Sequence, residues 1–179
     1  MDTKKTLYWI TRTAILIALL IALQWGTAAV SGGNQFITGS AVNLVLIVSA
    51  VLSGLTSGIA VALLSPFFAT FIGIASMNLV FVPFVAVGNV VLVIAWYIIA
   101  GKISVNTEGF VRMMIALVVG ALLKFAVLYL LFNKILPGFL NVPEKMMGMF
   151  SVPQLITALI GGAIAVLIIP LLKRAIKTK

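Results

Sequence analysis

Long, nearly uninterrupted apolar runs are the feature that most restricts how this chain can fold. Of its 179 residues, 63% are hydrophobic and only 8% are charged, whereas an ordinary soluble domain is about 45–50% apolar and about 25% charged. A water-soluble fold of this length cannot bury so much apolar surface, because the fraction of surface that a fold can bury rises only slowly with chain length. The composition therefore predicts a protein whose solvent is lipid.

The form of these runs favours helices over a membrane barrel. In the bilayer core, only helices and closed barrels satisfy every backbone hydrogen-bonding group. A barrel would show short segments of alternating polarity, and the runs here are long and continuous. We predict an all-α, polytopic membrane protein, a bundle of six transmembrane helices in a single membrane domain covering residues 1–179.

Six stretches approach the length of about 20 apolar residues that a crossing requires. Turn-forming residues separate them, including Gly54 and Gly58 on either side of the turn into the third stretch and Pro137, Gly138 and Pro143 before the sixth. The second and third stretches are short, and one re-entrant hairpin is the alternative to two crossings there. The predicted spans are 8–29, 39–55, 57–75, 79–100, 112–132 and 151–172.

The basic residues predict the orientation of the chain. Its formal net charge is +9, which in a soluble protein suggests nucleic-acid binding. Here the charges sit at helix ends, as the positive-inside rule expects, so we predict no nucleic-acid partner and place both termini in the cytoplasm. A cleaved signal peptide is the alternative for the first span, but Arg12 interrupts its basic-then-apolar order. The cytoplasmic set is Lys4, Lys5, Arg12, Lys102, Arg112, Lys173, Arg174, Lys177 and Lys179, against Lys134 and Lys145 outside.

The residue types that usually carry catalysis are missing or outside the spans. The chain has no cysteine and no histidine, which removes thiolate nucleophiles and most zinc and haem ligands. Its three acids, Asp2, Glu108 and Glu144, all lie outside the apolar runs. We therefore expect no enzyme, no metal site and no cofactor in this chain. It also lacks a Walker motif, so any ATP would be used by partner subunits.

Lys124 is the most informative residue, because it lies near the middle of the fifth span. A cation at the bilayer centre costs at least about 2.5–3.5 kcal/mol and usually faces the bundle interior. No acid lies in any span to pair with it. Three alternatives follow: the amine is neutral, the side chain extends toward the headgroups, or it binds an anionic ligand.

Several uncharged amide side chains lie at a similar depth in the predicted spans, where they could line a binding pocket. Five lie in the outer half of the predicted bundle, a bias that helix–helix hydrogen bonding alone does not require. For any one amide such a packing role is the better interpretation, whereas the set favours a pocket open to the outside for a polar, uncharged or singly charged solute. The five are Gln24, Asn43, Asn78, Asn89 and Gln154.

Aromatic side chains at similar depth are candidates for the wall of this pocket. They are Trp25, Phe36, Phe84 and Tyr129, with Phe81 beside them. Trp25 also fits the interfacial aromatic belt. The glycine-containing segment 30–38 is predicted to be a loop, which could cover an outer site or simply be solvated.

Alanines repeat every four residues on the first span, at Ala14, Ala18 and Ala22. Small residues at this spacing let another helix approach closely. The stripe predicts either packing within the protein or docking to a partner.

Three segments resemble the substrate-binding S components of energy-coupling factor (ECF) vitamin transporters. They are Thr11–Leu19 (TRTAILIAL), with its alanine-x-x-x-alanine spacing, Gln35–Asn43 (QFITGSAVN) and Pro83–Asn89 (PFVAVGN). The chain length and the six short predicted spans are similar to this family as well.

The resemblance implies a subunit of the bacterial cell membrane that captures a small water-soluble vitamin. It further implies docking through the alanine stripe to a transmembrane T component that works with two cytoplasmic ATPases. The unpaired Lys124 favours a vitamin with a carboxylate, and pantothenate is our first choice. Hydroxymethylpyrimidine, niacin and other small vitamins stay open. The alternative function is a structural membrane subunit of cell-envelope assembly, which would have no ligand.

Overall fold

The computed structural model describes residues 3–75, 77–101 and 107–177, without the side chains of 176 and 177. Within these ranges all regular elements are helical, which confirms the all-α prediction. The helices are α1 (Thr3–Ser31), α2 (Gln35–Ser53), α3 (Leu55–Phe71), α4 (Val82–Ala100), α5 (Thr107–Leu130), α6 (Glu144–Met149) and α7 (Val152–Lys177).

Five helical segments are long and apolar enough to cross a membrane: Thr3–Ser31, Gln35–Ser53, Leu79–Ala100, Thr107–Gly138 and Glu144–Ala175. The other apolar helix, α3, has 17 residues and is therefore about 26 Å long. That is short against a hydrocarbon core of about 30 Å. Six crossings therefore remain a prediction, because α3 is shorter than the five candidate spans.

The connections between helices are tighter than the sequence suggested. The predicted loop 30–38 is mostly helical, because α1 continues to Ser31 and α2 begins at Gln35. Asn34 caps α2 by accepting a hydrogen bond from the backbone N–H of Phe36 at 2.9 Å. Gly54 alone separates α2 from α3, with φ of +91°, a conformation that glycine adopts without a steric penalty. The 30–38 prediction of a long loop was therefore wrong, and too few residues are left there to form a lid.

The connection before α7 is also largely helical, where a loop over 133–150 was predicted. A π-helical turn covers Leu131–Ile135 and a 3-10 turn covers Leu136–Gly138. Pro137 lies in the first turn of the 3-10 helix, where its missing N–H leaves no hydrogen bond unmade. The predicted connection 101–111 shortens too, because α5 begins at Thr107, and Lys102 lies outside the described residues.

Polar contacts define the two ends of the bundle. At one end, Arg12 donates to the carbonyl of Leu52 (2.6 Å) and Thr13 donates to Ser57 (3.0 Å), so the first half of α1 lies against the α2–α3 turn. At the other end, Gln35 at the start of α2 donates to the carbonyl of Met149 in α6 (2.8 Å). We call these the Gly54 end and the α6 end.

Two apolar clusters fill the bundle. The larger contains residues of all six long helices, α1 to α5 and α7, and includes Leu46, Ile47 and Trp96. The smaller lies at the α6 end and contains Phe132 stacked on Phe150, with ring centroids 4.0 Å apart. The polar residues described next lie on the helices that enclose the larger cluster.

Candidate functional site

Lys124 lies inside the bundle and hydrogen-bonds to two other helices. Its side chain is only 3% exposed. The Nζ atom donates to Oδ1 of Asn43 on α2 at 2.6 Å and to Oδ1 of Asn89 on α4 at 2.8 Å. Both asparagines are buried. These three residues, here called the lysine–amide site, connect α2, α4 and α5.

Helical periodicity explains why Lys124 faces inward. Gly120, Ala121 and Leu128 are also buried, and residues three or four positions apart share one face of a helix. Lys124 therefore lies on the face of α5 that packs into the bundle. The headgroup alternative for this side chain is wrong, because the hydrogen bonds hold its Nζ atom between α2 and α4.

The Lys124 amine has no nearby carboxylate on its own helix. Glu108 lies at the start of α5, 16 positions before Lys124, and is therefore about 24 Å away along the helix axis. Amide oxygens are the acceptors that the ammonium has among the described residues. When Lys124 is protonated, its hydrogen bonds to these amide oxygens are stronger than neutral ones, but the amide groups do not neutralise its positive charge.

The ammonium retains capacity for a further acceptor. A lysine ammonium has three N–H donors and no acceptor. The hydrogen bonds found in the described part of the chain use two of them. A ligand carboxylate could accept from the third and at the same time balance the charge, which is costly to bury alone.

Thr157 on α7 extends this network and was not among the predicted site residues. Asn43 Nδ2 donates to Thr157 Oγ1 at 3.3 Å, and that hydroxyl donates to the carbonyl of Gln154 at 3.2 Å. Thr157 is only 1% exposed. Its spacing of three residues from Gln154, which places both on one helix face, is the pattern that could have identified it.

Glycine allows α7 and α2 to approach closely at this point. A Cβ atom on Gly161 would lie 2.5 Å from the carbonyl oxygen of Ser40 and 2.8 Å from Cβ of Asn43. Such distances are far inside van der Waals contact, so only glycine fits without displacing a helix. This close approach places Asn43 within reach of Thr157.

The other predicted amides occupy different environments. Gln154 takes part through its carbonyl, while its side chain donates to Met149 O at 3.4 Å. Gln24 on α1 is buried, and its Oε1 has no hydrogen-bond partner among the described residues. Asn78 is exposed and caps the short 3-10 turn Leu79–Phe81 by accepting from Val80 N. Asn78 therefore lies outside the lysine–amide site.

The predicted aromatic wall does not form one surface. Trp25 is 65% exposed and Phe36 is 43% exposed, so both face away from the bundle interior. Phe84 packs against the smaller apolar cluster. Tyr129 is half-buried beside Phe125, with ring centroids 5.7 Å apart.

The alanine stripe of α1 lies on the outside of the bundle. Ala14, Ala18 and Ala22 are all exposed, as are the neighbouring Ile15 and Leu19. The alternative in which this stripe packs within the protein is therefore wrong. This exposed face of small and apolar side chains remains available for lipid or for another helix.

Comparison with known proteins adds no family assignment. The chain has no significant match among protein-family models, curated proteins or solved structures.

Proposed function

We propose that this chain is the substrate-binding S component of an ECF-type vitamin transporter in a bacterial cell membrane. It would cross the membrane several times, with both termini in the cytoplasm and the α6 end outside. Its role would be to bind a vitamin from the outside and present it for uptake, without catalysing a reaction. Several long apolar helices support the membrane crossings, and the distribution of basic residues supports the orientation.

The observation that carries the proposal is the lysine–amide site. A buried ammonium held by amide oxygens alone is expensive in an apolar bundle. Intramembrane ionisable residues usually mark ligand or ion pathways. Since Lys124 joins three helices at one point, a ligand bound there would contact most of the bundle.

The chemistry of the site favours a solute with one carboxylate. Such a group accepts from the free ammonium N–H and neutralises the charge. Pantothenate carries one carboxylate together with hydroxyl and amide groups, so it is the first candidate. Niacin also has a carboxylate, whereas hydroxymethylpyrimidine does not and is less favoured.

The exposed stripe Ala14, Ala18 and Ala22 supports docking to a transmembrane T component. Small side chains permit close backbone approach between helices in lipid. Two cytoplasmic ATPases associated with that component would supply the energy, since this chain has no phosphate-binding motif.

Retained solute in the purified protein is the direct test. We expect mass spectrometry of the detergent-purified chain to find a carboxylate-bearing vitamin, and calorimetry to measure binding of pantothenate to ligand-free protein. Lys124→Met should weaken that binding by tenfold or more, because hydrogen bonds to charged groups contribute about 1.5–3 kcal/mol. Lys134→Met is the matched control, since Lys134 is exposed on the same continuous helical segment.

Two results would contradict the proposal. Equal binding by the Lys124→Met and Lys134→Met variants would remove the lysine–amide site from ligand recognition. No retained solute and no binding of any tested vitamin would favour the structural subunit without ligand.

A further inference from the structure

We propose that Thr157 is a positioning residue that fixes the direction of the Asn43 amide and thereby makes the lysine–amide site selective for anions. The selectivity for anions rests on the proposed ligand-binding function. The positioning of the Asn43 amide by Thr157 depends only on contacts within the chain.

The donors and acceptors of each side chain determine which group donates and which accepts in the hydrogen bonds that link Thr157, Asn43 and Lys124. A hydroxyl has one O–H and two lone pairs. Thr157 uses its O–H for the carbonyl of Gln154 at 3.2 Å, so toward Asn43 it can only accept. The amide must therefore present Nδ2 to Thr157, at 3.3 Å, and Oδ1 to Lys124, at 2.6 Å.

The position of Thr157 is itself restricted. A Cβ atom on Gly39 would lie 3.0 Å from Cγ2 of Thr157, so the methyl group of Thr157 lies against the backbone of α2. Because β-branched side chains have few χ1 rotamers in a helix, packing of the methyl group also fixes where the hydroxyl lies. The methyl group of Thr157 thus packs against the α2 backbone at Gly39, while its hydroxyl accepts from the Asn43 side chain.

Selectivity follows from the polar groups that remain free. With the Oδ1 atoms of Asn43 and Asn89 directed at Lys124, the remaining hydrogen-bonding atoms on the ammonium and the amide nitrogens are donors. A site with a positive charge and free donors attracts an anionic acceptor and repels a cation. Without the Thr157 hydroxyl, Asn43 Nδ2 would lose its buried acceptor, and the amide would be held in place by Lys124 alone.

Two substitutions separate the hydroxyl from the shape of the side chain. Thr157→Val keeps the branched shape and removes the acceptor, while Thr157→Ser keeps the hydroxyl and removes the methyl. Thr13→Val is the matched control. Thr13 is also buried, and its hydroxyl donates to Ser57 near the Gly54 end, away from the lysine–amide site.

The first measurement is NMR of full-length protein labelled with ¹⁵N-asparagine in detergent micelles. The Asn43 side-chain amide is assigned by its loss in Asn43→Ala. We expect Thr157→Val to shift both Asn43 amide proton resonances, and Thr157→Ser and Thr13→Val to leave them near their original positions. Unchanged Asn43 resonances in Thr157→Val would overturn the positioning role, whatever the ligand is.

The second measurement compares binding of pantothenate with binding of its neutral alcohol analogue, panthenol. We expect Thr157→Val to weaken pantothenate binding by about tenfold while changing panthenol binding much less, and Thr157→Ser to retain the preference. A shifted Asn43 resonance with an unchanged preference would overturn the selectivity. If the unmodified protein binds neither compound, the pantothenate proposal fails and the NMR result still decides the role of Thr157.

Discussion

At the scale of single residues, the chain concentrates its polar interior chemistry on Lys124. The ammonium loses its hydration in the bundle, and two amide oxygens replace part of it. Breaking such an arrangement by removing one partner is more damaging than replacing the whole of it, because an unsatisfied buried group keeps its full desolvation cost. The stability of the residues at the lysine–amide site should therefore be strongly interdependent.

Asn43→Leu is predicted to lower the stability of the protein by about 1–3 kcal/mol, because the buried ammonium loses its shorter hydrogen bond. Adding Lys124→Met to the same chain should restore most of the loss, since the unsatisfied charge is then gone. Thermal unfolding in detergent, followed by circular dichroism, measures both effects.

Gln24→Leu is the control for this cycle. Gln24 is a buried amide whose Oε1 lacks a partner among the described residues, so an apolar replacement should leave stability unchanged or raise it. Additive effects of Asn43→Leu and Lys124→Met would show that the two residues do not interact in the folded protein.

At the scale of helices, α1 differs from the other membrane-length segments in having little of its surface buried. Its contacts with the rest of the bundle include Thr13 and Leu20, both buried, while the alanine stripe faces outward. The opposite faces of one helix thus have separate roles, one for packing and one for contact with lipid or a partner. A change on the outer face should leave the lysine–amide site intact.

Ala18→Trp is predicted to abolish vitamin uptake in cells that also express the T component and ATPases, while leaving vitamin binding unchanged. A bulky indole on the stripe would prevent the close helix approach that small residues allow. Uptake of radiolabelled pantothenate and calorimetry on the purified variant measure the two properties.

Ala163→Trp is the matched control, because Ala163 is also exposed but lies on α7. Normal uptake with Ala18→Trp, or equal loss with both variants, would show that the stripe does not dock a partner.

At the scale of the whole molecule, the bundle brings the start of α1 and the α2–α3 turn to one end and α6 to the other. Among the described residues, Lys134 and Lys145 lie at the α6 end, whereas Lys4 and Lys5 lie at the start of α1, Arg112 lies near the start of α5, and Lys173 and Arg174 lie near the end of α7. By the positive-inside rule, this distribution supports the proposed orientation, in which the α6 end faces the outside of the cell.

Single cysteines can test this orientation, because the natural chain has none. We expect a membrane-impermeant maleimide to label Lys145→Cys in intact cells and Lys4→Cys only after permeabilisation. Both lysines are exposed at their positions, so the reagent can reach each side chain. Labelling of both variants from the outside would contradict the proposed orientation, and the unmodified chain provides the background.

The sequence by itself determined the helical class of this protein and the residues most worth attention. Apolar runs of this length leave backbone groups no partners except those within a helix, so the fold class followed without tertiary information. An isolated lysine between apolar neighbours is costly wherever it lies in lipid, so Lys124 was identifiable from its position alone. Asn43 and Asn89 were predicted as site residues from their depth in the membrane, which follows from their positions along the predicted spans.

Only the tertiary structure decided which of these side chains meet. Rotation of each helix about its axis depends on packing with its neighbours, so depth could not separate Asn89, which faces Lys124, from the exposed cap Asn78. Trp25 and Phe36 share the predicted depth but face outward for the same reason. Thr157 reaches Asn43 because Gly39 and Gly161 let α7 lie against α2, a fit between two surfaces that neither segment reveals alone.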